Sequence, residues 1–181
     1  MKGPARCPAF CPAFCRMAPR VRYGAVAVTA AALIGFAIYL QEVKGLEPCP
    51  LCILQRYAYV VVAAAALVAA LLPSSAPRIA ARIAAWVGIA FAVAGAGVGV
   101  WHVWLQTHPP KFASCGPSLQ YLVANLPLGR ALPRIFQGYA DCTEVTWRFL
   151  GLTIPAWSLL CLLGLAAVLW GAQRRNDAAQ Q

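Results

Sequence analysis

Residues 49–72 read CPLCILQRYAYVVVAAAALVAALL, and this stretch decides the fold because it joins two cysteines to a long apolar segment. About 20 consecutive apolar residues are enough for a helix to cross the hydrocarbon core of a bilayer. Between Arg56 and the end of the stretch there is no charged residue. Pro50 favours a helix start, since proline is well tolerated in the first turn. The stretch therefore predicts a membrane helix whose first turn carries a pair of thiols.

The rest of the chain has the same apolar character. Of its 181 residues, 61% are hydrophobic and 11% are charged, which excludes a soluble domain of this size. Four stretches approach the length of a bilayer crossing. These are residues 23–40, 54–72, 83–105 and 150–171. They are rich in small residues, and we expect Gly95, Gly97 and Gly99 to seat a neighbouring helix. The predicted fold class is an all-α membrane protein, a bundle of four transmembrane helices.

The distribution of Lys and Arg orients these spans. An even number of spans places both termini on one side, which carries nine of the fifteen basic residues. These nine are Lys2, Arg6, Arg16, Arg20, Arg22, Arg78, Arg82, Arg174 and Arg175. By the positive-inside rule, the termini face the cytoplasm. The net charge of +10 thus indicates topology and attraction to anionic lipid, and no nucleic-acid-binding motif is present.

This orientation divides the chain into two tails and one membrane domain. The predicted parts are a cytoplasmic tail of residues 1–22, a membrane domain of residues 23–171 with outer loops at about 41–53 and 106–149, and a cytoplasmic tail of residues 172–181. The long outer loop contains five prolines, too many for another span. Part of it lies along the membrane surface or packs on the helix ends, and the sequence leaves both open.

The N-terminal tail contains a near-tandem cysteine repeat with Cys7, Cys11 and Cys15. A metal-binding role would require ligands in a reducing compartment, and the repeat contains no histidine. We interpret these thiols as having no function. We expect Met17 to be the true start, with residues 1–16 an upstream mis-assignment. N-terminal sequencing that finds residues 1–16 on the mature protein would contradict this hypothesis.

The Cys49–Cys52 pair has the spacing of a redox dithiol, in which one thiolate attacks a disulfide and the other resolves it. On a helix that starts near Pro50, both sulfurs share one face and Arg56 joins that face one turn later. The helix N-terminus and the Arg56 guanidinium would each favour a thiolate at Cys52. A structural disulfide or half of a zinc site is the alternative for such a pair.

Two further cysteines, Cys115 and Cys142, fall in the long outer loop, where an oxidising compartment permits disulfides. As a structural staple, their disulfide would add roughly 3 kcal/mol by restricting the unfolded chain. As a redox pair on a proline-rich loop, they could reach another disulfide through a mixed intermediate. Both interpretations stay open. Cys161 lies among leucines in the fourth span and is expected to be a buried apolar filler.

Arg56 and His102 are ionisable residues at the outer ends of the second and third spans, where such residues often mark function. Taken singly, Arg56 could reach lipid headgroups, and His102 could sit with Trp101 and Trp104 in an aromatic belt. Together with Cys52, they could instead enclose a lipid-soluble redox ligand. The sequence has no haem-attachment or dinucleotide-binding motif. A membrane quinone, with a carbonyl bound by His102 or Arg56, is therefore the expected electron acceptor.

Several motifs occur here in a specific order and spacing. They are Glu47-Pro48-Cys49-Pro50-Leu51-Cys52 before Gln55-Arg56, His102 before Trp104-Leu105-Gln106, Phe112-Ala113-Ser114-Cys115, and Asp141-Cys142 before Trp147-Arg148-Phe149-Leu150-Gly151-Leu152. Together they resemble the DsbB family, the disulfide bond formation protein B family of bacteria. The resemblance covers about residues 20–172. It does not extend to the cysteine-rich tail, and Pro50 stands at a position that varies in the family.

The resemblance implies a quinone-linked thiol oxidase of the bacterial inner membrane that reoxidises a periplasmic DsbA-like dithiol protein. By position, the partner's thiol would attack Cys115, and Cys142 would then attack Cys49. Release of Cys52 as a thiolate would allow reduction of a bound ubiquinone or menaquinone, and no metal is implied. The quinone-binding residues implied by the resemblance are Arg56 and His102.

Three other functions were compatible with parts of the sequence. A relative of vitamin K epoxide reductase also couples a CxxC to a quinone, but its cysteines come in a different chain order. A membrane metal-handling protein would use the four outer cysteines as ligands, although Cys115 and Cys142 do not form a second CxxC-like unit. A structural protein would hold two stable disulfides and transfer no electrons.

Overall fold

The computed structural model describes residues 19–45, 48–72, 78–108, 145 and 147–178. Most of these residues belong to four long helices. The helices are α1 (Pro19–Lys44), α2 (Pro50–Leu71), α3 (Arg78–Thr107) and α4 (Ile154–Ala178). All four are long and apolar enough to cross a membrane. The predicted all-α, four-helix architecture is therefore confirmed.

The helices form a closed bundle in chain order. Helix α2 packs against α1 and α3, while α4 packs against α3 and α1 and touches α2 only slightly across the diagonal. Neighbours in sequence are thus neighbours in space, as in an up-down-up-down bundle. We call the end that holds Cys49, His102 and Ile154 the dithiol end. The opposite end, which holds Tyr23 and Gln173, is the tail end.

Small side chains fill the bundle interior. Ala30, Ala66, Ala85 and Ala92 are completely buried, and Leu162 and Leu169 fill the larger spaces between them. Many large apolar side chains, such as those of Val28 and Leu71, are instead exposed on the outside. This distribution suits a membrane bundle, in which close packing of small residues joins helices and large apolar groups face lipid.

Two of the three predicted glycine contacts are confirmed. A Cβ atom on Gly95 would lie 2.6 Å from Cβ of Ala58, and one on Gly99 would lie 2.8 Å from Nε2 of Gln55. The prediction for Gly97 is wrong, since a Cβ there would meet nothing within 4 Å among the described residues. On an α-helix, residues four apart share a face, whereas the residue midway between them points away.

A short hairpin precedes α4. Strand β1 (Arg148–Phe149) pairs antiparallel with β2 (Leu152–Thr153), and the turn residues Leu150 and Gly151 have φ values of 51° and 79°. Two positive φ values in a two-residue loop are typical of a type I′ turn. The fourth helix therefore begins at Ile154, four residues after the start of the predicted span at residue 150. The backbone reversal at the turn prevents an earlier start.

A candidate thiol redox site at the dithiol end

Helix α2 begins within the CPLC sequence, as predicted. Cys49 is its N-cap residue, with the extended backbone that a residue before proline adopts, and Pro50 lies in the first turn. The Cys49 Sγ accepts a hydrogen bond from the Cys52 backbone N–H at 3.4 Å. The Ile53 N–H donates to the Cys49 carbonyl oxygen at 3.2 Å. The cap thus fixes both cysteines at the positive end of the helix dipole, which favours a thiolate.

The two sulfurs face each other at this helix start. Their Sγ atoms are 3.1 Å apart, and both cysteines are free thiols in the structure. Cys49 is buried, whereas Cys52 is partly exposed. A small movement would bring the sulfurs to the bonding distance of about 2.05 Å. The geometry therefore suits a pair that alternates between dithiol and disulfide.

His102 lies beside this pair. Its side chain is 2% exposed, and its Nε2 is 3.6 Å from Sγ of Cys49. Trp101 and Trp104 lie on the outside of the same helix, where their rings stack with centroids 5.1 Å apart. The aromatic-belt interpretation thus fits the two tryptophans, whereas His102 faces the thiols.

The same three residues form a possible metal site. The ligand atoms of Cys49, Cys52 and His102 all lie within 4.8 Å of one another. Two thiolates and one imidazole are a donor set that Zn²⁺ accepts. A redox dithiol beside a histidine has the same geometry, so the proximity alone does not separate the two chemistries.

Arg56 lies at the same end but turns towards α1. Its Nη1 donates to Oε1 of Gln41 at 2.7 Å, and its Nη2 donates to the Ala37 carbonyl oxygen at 3.2 Å. The side chain also lines the cavity described below. Helical register predicted Arg56 beside Cys52, and the structure places it in the same cavity with its guanidinium bonded to the neighbouring helix.

A cavity of about 460 Å³ opens beside the dithiol. Cys52 and His102 line it on one side, and apolar or aromatic side chains from α1 and the hairpin form the opposite wall, among them Leu33, Phe36 and Phe149. This volume and this mainly apolar lining are typical of sites for small organic molecules.

Hydrogen bonds hold the hairpin wall of the cavity in place. The Trp157 indole N–H donates to the Phe149 carbonyl oxygen at 3.0 Å, and the Thr153 hydroxyl donates to Oε1 of Gln106 at 2.9 Å. The first bond ties the hairpin to α4, and the second ties it to the end of α3. The cavity wall is therefore built from three segments that are distant in sequence.

Two buried polar atoms at the cavity have no hydrogen-bond partner among the described residues. They are Nε2 of Gln55 and Nδ1 of His102. Both side chains line the cavity and are 3% and 2% exposed. Buried polar atoms are usually paired, so an unpaired one at a cavity indicates a place for a ligand. These atoms, with the apolar walls, fit a quinone, which is an apolar ring bearing two carbonyl acceptors.

Gln55 was not among the residues predicted from the sequence. The available signal was a neutral polar residue inside an apolar span, three positions after Cys52 and so one turn along the helix. The charged neighbour Arg56 attracted the functional interpretation instead, because charge is the stronger signal at membrane depth.

The remaining predicted site residues have mixed outcomes. Cys115 and Cys142 lie outside the described residues, so their predicted redox role stays a prediction. Cys161 is only partly buried and lines the cavity, whereas full burial was expected. The difference arises because α4 turns this position towards the cavity, away from the centre of the bundle.

Comparison with known proteins identifies the family. Residues 19–172 match the family described as disulfide bond formation protein DsbB. The chain belongs to the DsbB family. It is 48% identical over 148 residues to a disulfide bond formation protein B of Aromatoleum aromaticum, with 81% of this chain and 88% of the relative covered. A protein of that name from Azoarcus sp. is 45% identical over 147 residues, covering 80% and 86%.

A third DsbB relative, from Methylococcus capsulatus, is 44% identical over 149 residues, with 80% of this chain and 90% of the relative covered. The family consists of membrane thiol:quinone oxidoreductases that act in disulfide bond formation. Its members generally use quinone as acceptor and DsbA as partner. Membership thus favours redox chemistry over a metal centre for the Cys49, Cys52 and His102 cluster. It also replaces the alternatives of a vitamin K epoxide reductase relative and a structural protein.

Proposed function

We propose that this chain oxidises a periplasmic DsbA-like dithiol protein and passes the two electrons through its own cysteines to membrane ubiquinone. The observation that carries this proposal is the Cys49–Cys52 pair, with sulfurs 3.1 Å apart, opening into an apolar cavity of about 460 Å³. A dithiol at the mouth of such a cavity can exchange with protein thiols on one side and a lipid-soluble acceptor on the other.

Electrons enter the proposed relay at the Cys115–Cys142 disulfide. A partner thiolate attacks Cys115, which forms a mixed disulfide and releases the Cys142 thiolate. Cys142 then attacks Cys49 of the Cys49–Cys52 disulfide and releases Cys52 as a thiolate. The partner's second thiol resolves the mixed disulfide, so the partner leaves oxidised and Cys115 is free. Attack of Cys115 on Cys142 restores the loop disulfide and leaves Cys49 and Cys52 reduced.

The residues at the cavity then manage charge and protons. The α2 N-terminus stabilises the Cys52 thiolate, and the His102 imidazole, 3.6 Å from the Cys49 sulfur, can hold the proton that leaves the thiol. Arg56 lends positive charge to the cavity while its bonds to α1 fix its position. A bound quinone accepts two electrons and two protons, and Cys49 and Cys52 return to the disulfide.

We place the protein in the bacterial inner membrane with both termini in the cytoplasm and the reactive cysteines in the periplasm. The excess of Lys and Arg on the termini side supports this orientation. An oxidising compartment around the cysteines is also what disulfide exchange with a secreted partner requires.

The test is quinone reduction by the purified, detergent-solubilised protein. A reduced thioredoxin-like dithiol protein and a short-chain ubiquinone are added, and quinol formation is followed. We expect Cys52→Ser to lower the rate by about 10³-fold or more, because covalent relays fail when one member is removed. Cys11→Ser, a cysteine of the tail, is the matched control and should keep the wild-type rate. Quinone-independent oxidation, or a fully active Cys52→Ser variant, would refute the mechanism.

Trapping of the partner tests the order of the relay. A partner that lacks its resolving cysteine should accumulate a mixed disulfide with Cys115, which peptide mapping under non-reducing conditions identifies. Capture at Cys49 instead would reverse the proposed order.

A further inference from the structure

Gln55 is a buried amide without a matching group. Its side chain is 3% exposed, and its Nε2 has no hydrogen-bond partner in the described part of the chain. Leaving a buried donor unpaired costs free energy, and such groups in native structures call for an explanation. Gln55 lines the cavity beside the dithiol, so a molecule in that cavity can provide the missing acceptor.

The fold makes room for this amide. Gly99 on α3 faces it so closely that a Cβ there would lie 2.8 Å from Nε2 of Gln55. Glycine offers no acceptor side chain, and the α3 backbone is engaged in its own helical bonds. Rotation about the last side-chain torsion exchanges the amide N and O without changing the shape of the group. The NH₂ can therefore turn towards the cavity at little cost.

Helix geometry gives the depth of Gln55 in the bundle. It follows Cys52 by three residues on α2, and its contact Gly99 precedes His102 by three residues on α3. Three residues correspond to a rise of about 4.5 Å along an α-helix. The amide thus lies about one turn deeper than the layer formed by Cys52 and His102.

A para-quinone has carbonyl oxygens at opposite ends of its ring. If one carbonyl lies in the Cys52 and His102 layer, the other projects one turn deeper into the cavity. We propose that Gln55 binds quinone by donating an amide hydrogen bond to this deeper carbonyl oxygen. The inference rests on the proposed function, since it requires that a quinone occupies this cavity.

The experiment measures binding by the oxidised, full-length protein, which performs no turnover. The dissociation constant of a short-chain ubiquinone is determined in detergent for the wild type and for Gln55→Met, which keeps the length of the side chain but has no amide. We expect binding to weaken about tenfold, equivalent to about 1.4 kcal/mol. Gln173→Met, a buried glutamine at the tail end, is the matched control and should bind as the wild type does.

Infrared spectra of bound quinone, with ¹³C at one carbonyl or the other, give a second readout. A hydrogen bond weakens a C=O bond and lowers its stretching frequency. We expect one carbonyl band of the wild-type complex to return towards the unbonded frequency in Gln55→Met, while the other stays in place. A role in packing alone would leave both bands unchanged.

A third variant covers the case that Gln55→Met does not fold. Gln55→Glu has nearly the same shape, and its carboxyl group donates a hydrogen bond only when protonated. Relative to the wild type at each pH, its quinone affinity should be retained in acid and lost as the pH rises. An affinity ratio that does not change with pH would overturn the inference.

The outcomes separate the two proposals. If the wild type binds no quinone, the proposed function fails. If the wild type binds and Gln55→Met binds equally well, or if Gln173→Met weakens binding as much, only the role of Gln55 fails.

Discussion

The two ends of the bundle treat a buried glutamine in opposite ways. At the tail end, Gln173 is 4% exposed, accepts from the Tyr23 hydroxyl at 3.2 Å and donates to Asp177 at 3.3 Å. At the dithiol end, Gln55 is 3% exposed, yet its Nε2 has no partner among the residues described. Burial is the same, and only the pairing differs.

This difference separates structural polarity from functional polarity in one small bundle. The tail end completes its network with Asn176, which donates to the Tyr23 hydroxyl at 3.0 Å, so side chains satisfy one another. The dithiol end leaves donors facing a cavity. Unpaired buried groups weaken a fold and are retained where a ligand pairs with them. The comparison therefore predicts that changes at the dithiol end affect function first and changes at the tail end affect stability first.

The largest effect on function in this comparison is expected from His102→Gln. The amide can replace a hydrogen bond but cannot hold a proton as imidazole does, so the rate of quinone reduction should fall by about 10²-fold. The thermal midpoint should change by no more than a few degrees, because side-chain volume is nearly kept. Both are measured on the purified protein. His108→Gln, at an exposed site, should leave the rate unchanged, and a matching loss there would remove the distinction.

The middle of the bundle should respond at both ends together. Gly95→Ala places a Cβ 2.6 Å from Cβ of Ala58 and should destabilise the protein by about 1–3 kcal/mol through overpacking. Gly97→Ala points into open space and should be neutral or stabilising by up to about 1 kcal/mol. Denaturant unfolding followed by circular dichroism measures both. Equal effects of the two alanines would mean that the helices do not approach at Gly95.

The smallest effect is expected from Tyr23→Phe at the tail end. Loss of the hydroxyl breaks its bonds to Gln173 and Asn176, and we expect a stability loss of about 1 kcal/mol. Quinone affinity should stay at the wild-type value, since the change lies at the other end of the bundle. Unfolding and quinone titration give the two numbers. Tyr57→Phe, exposed on the outside of α2, should change neither, and weaker quinone binding in Tyr23→Phe would show that the ends are coupled.

Much of the architecture was predictable because it depends on local composition. Four apolar stretches specify four helices, and Pro50 after Cys49 specifies where α2 begins. The start of α4 was less predictable. The apolar run begins before the hairpin, and only the backbone of Leu150 and Gly151 delays the helix to Ile154.

The candidate site was predictable in its residues more than in its contacts. The spacing of Cys49 and Cys52 marked the thiols, and their polar setting at a span boundary marked Arg56 and His102. Register along α2 placed Arg56 near Cys52 but could not show that Gln41 and Ala37 on α1 bind its guanidinium. That contact depends on how α1 and α2 are rotated about their axes.

By itself, the sequence determined the four helices and the helix start that carries the dithiol, because hydropathy, proline and cysteine spacing act over a few neighbouring residues. Only the tertiary structure decided that His102 lies 3.6 Å from Cys49 Sγ, that Gly99 lies against Gln55, and that a cavity opens between them and the hairpin. These features join segments about 40 to 100 residues apart, and their geometry depends on interhelical packing, which no local pattern specifies.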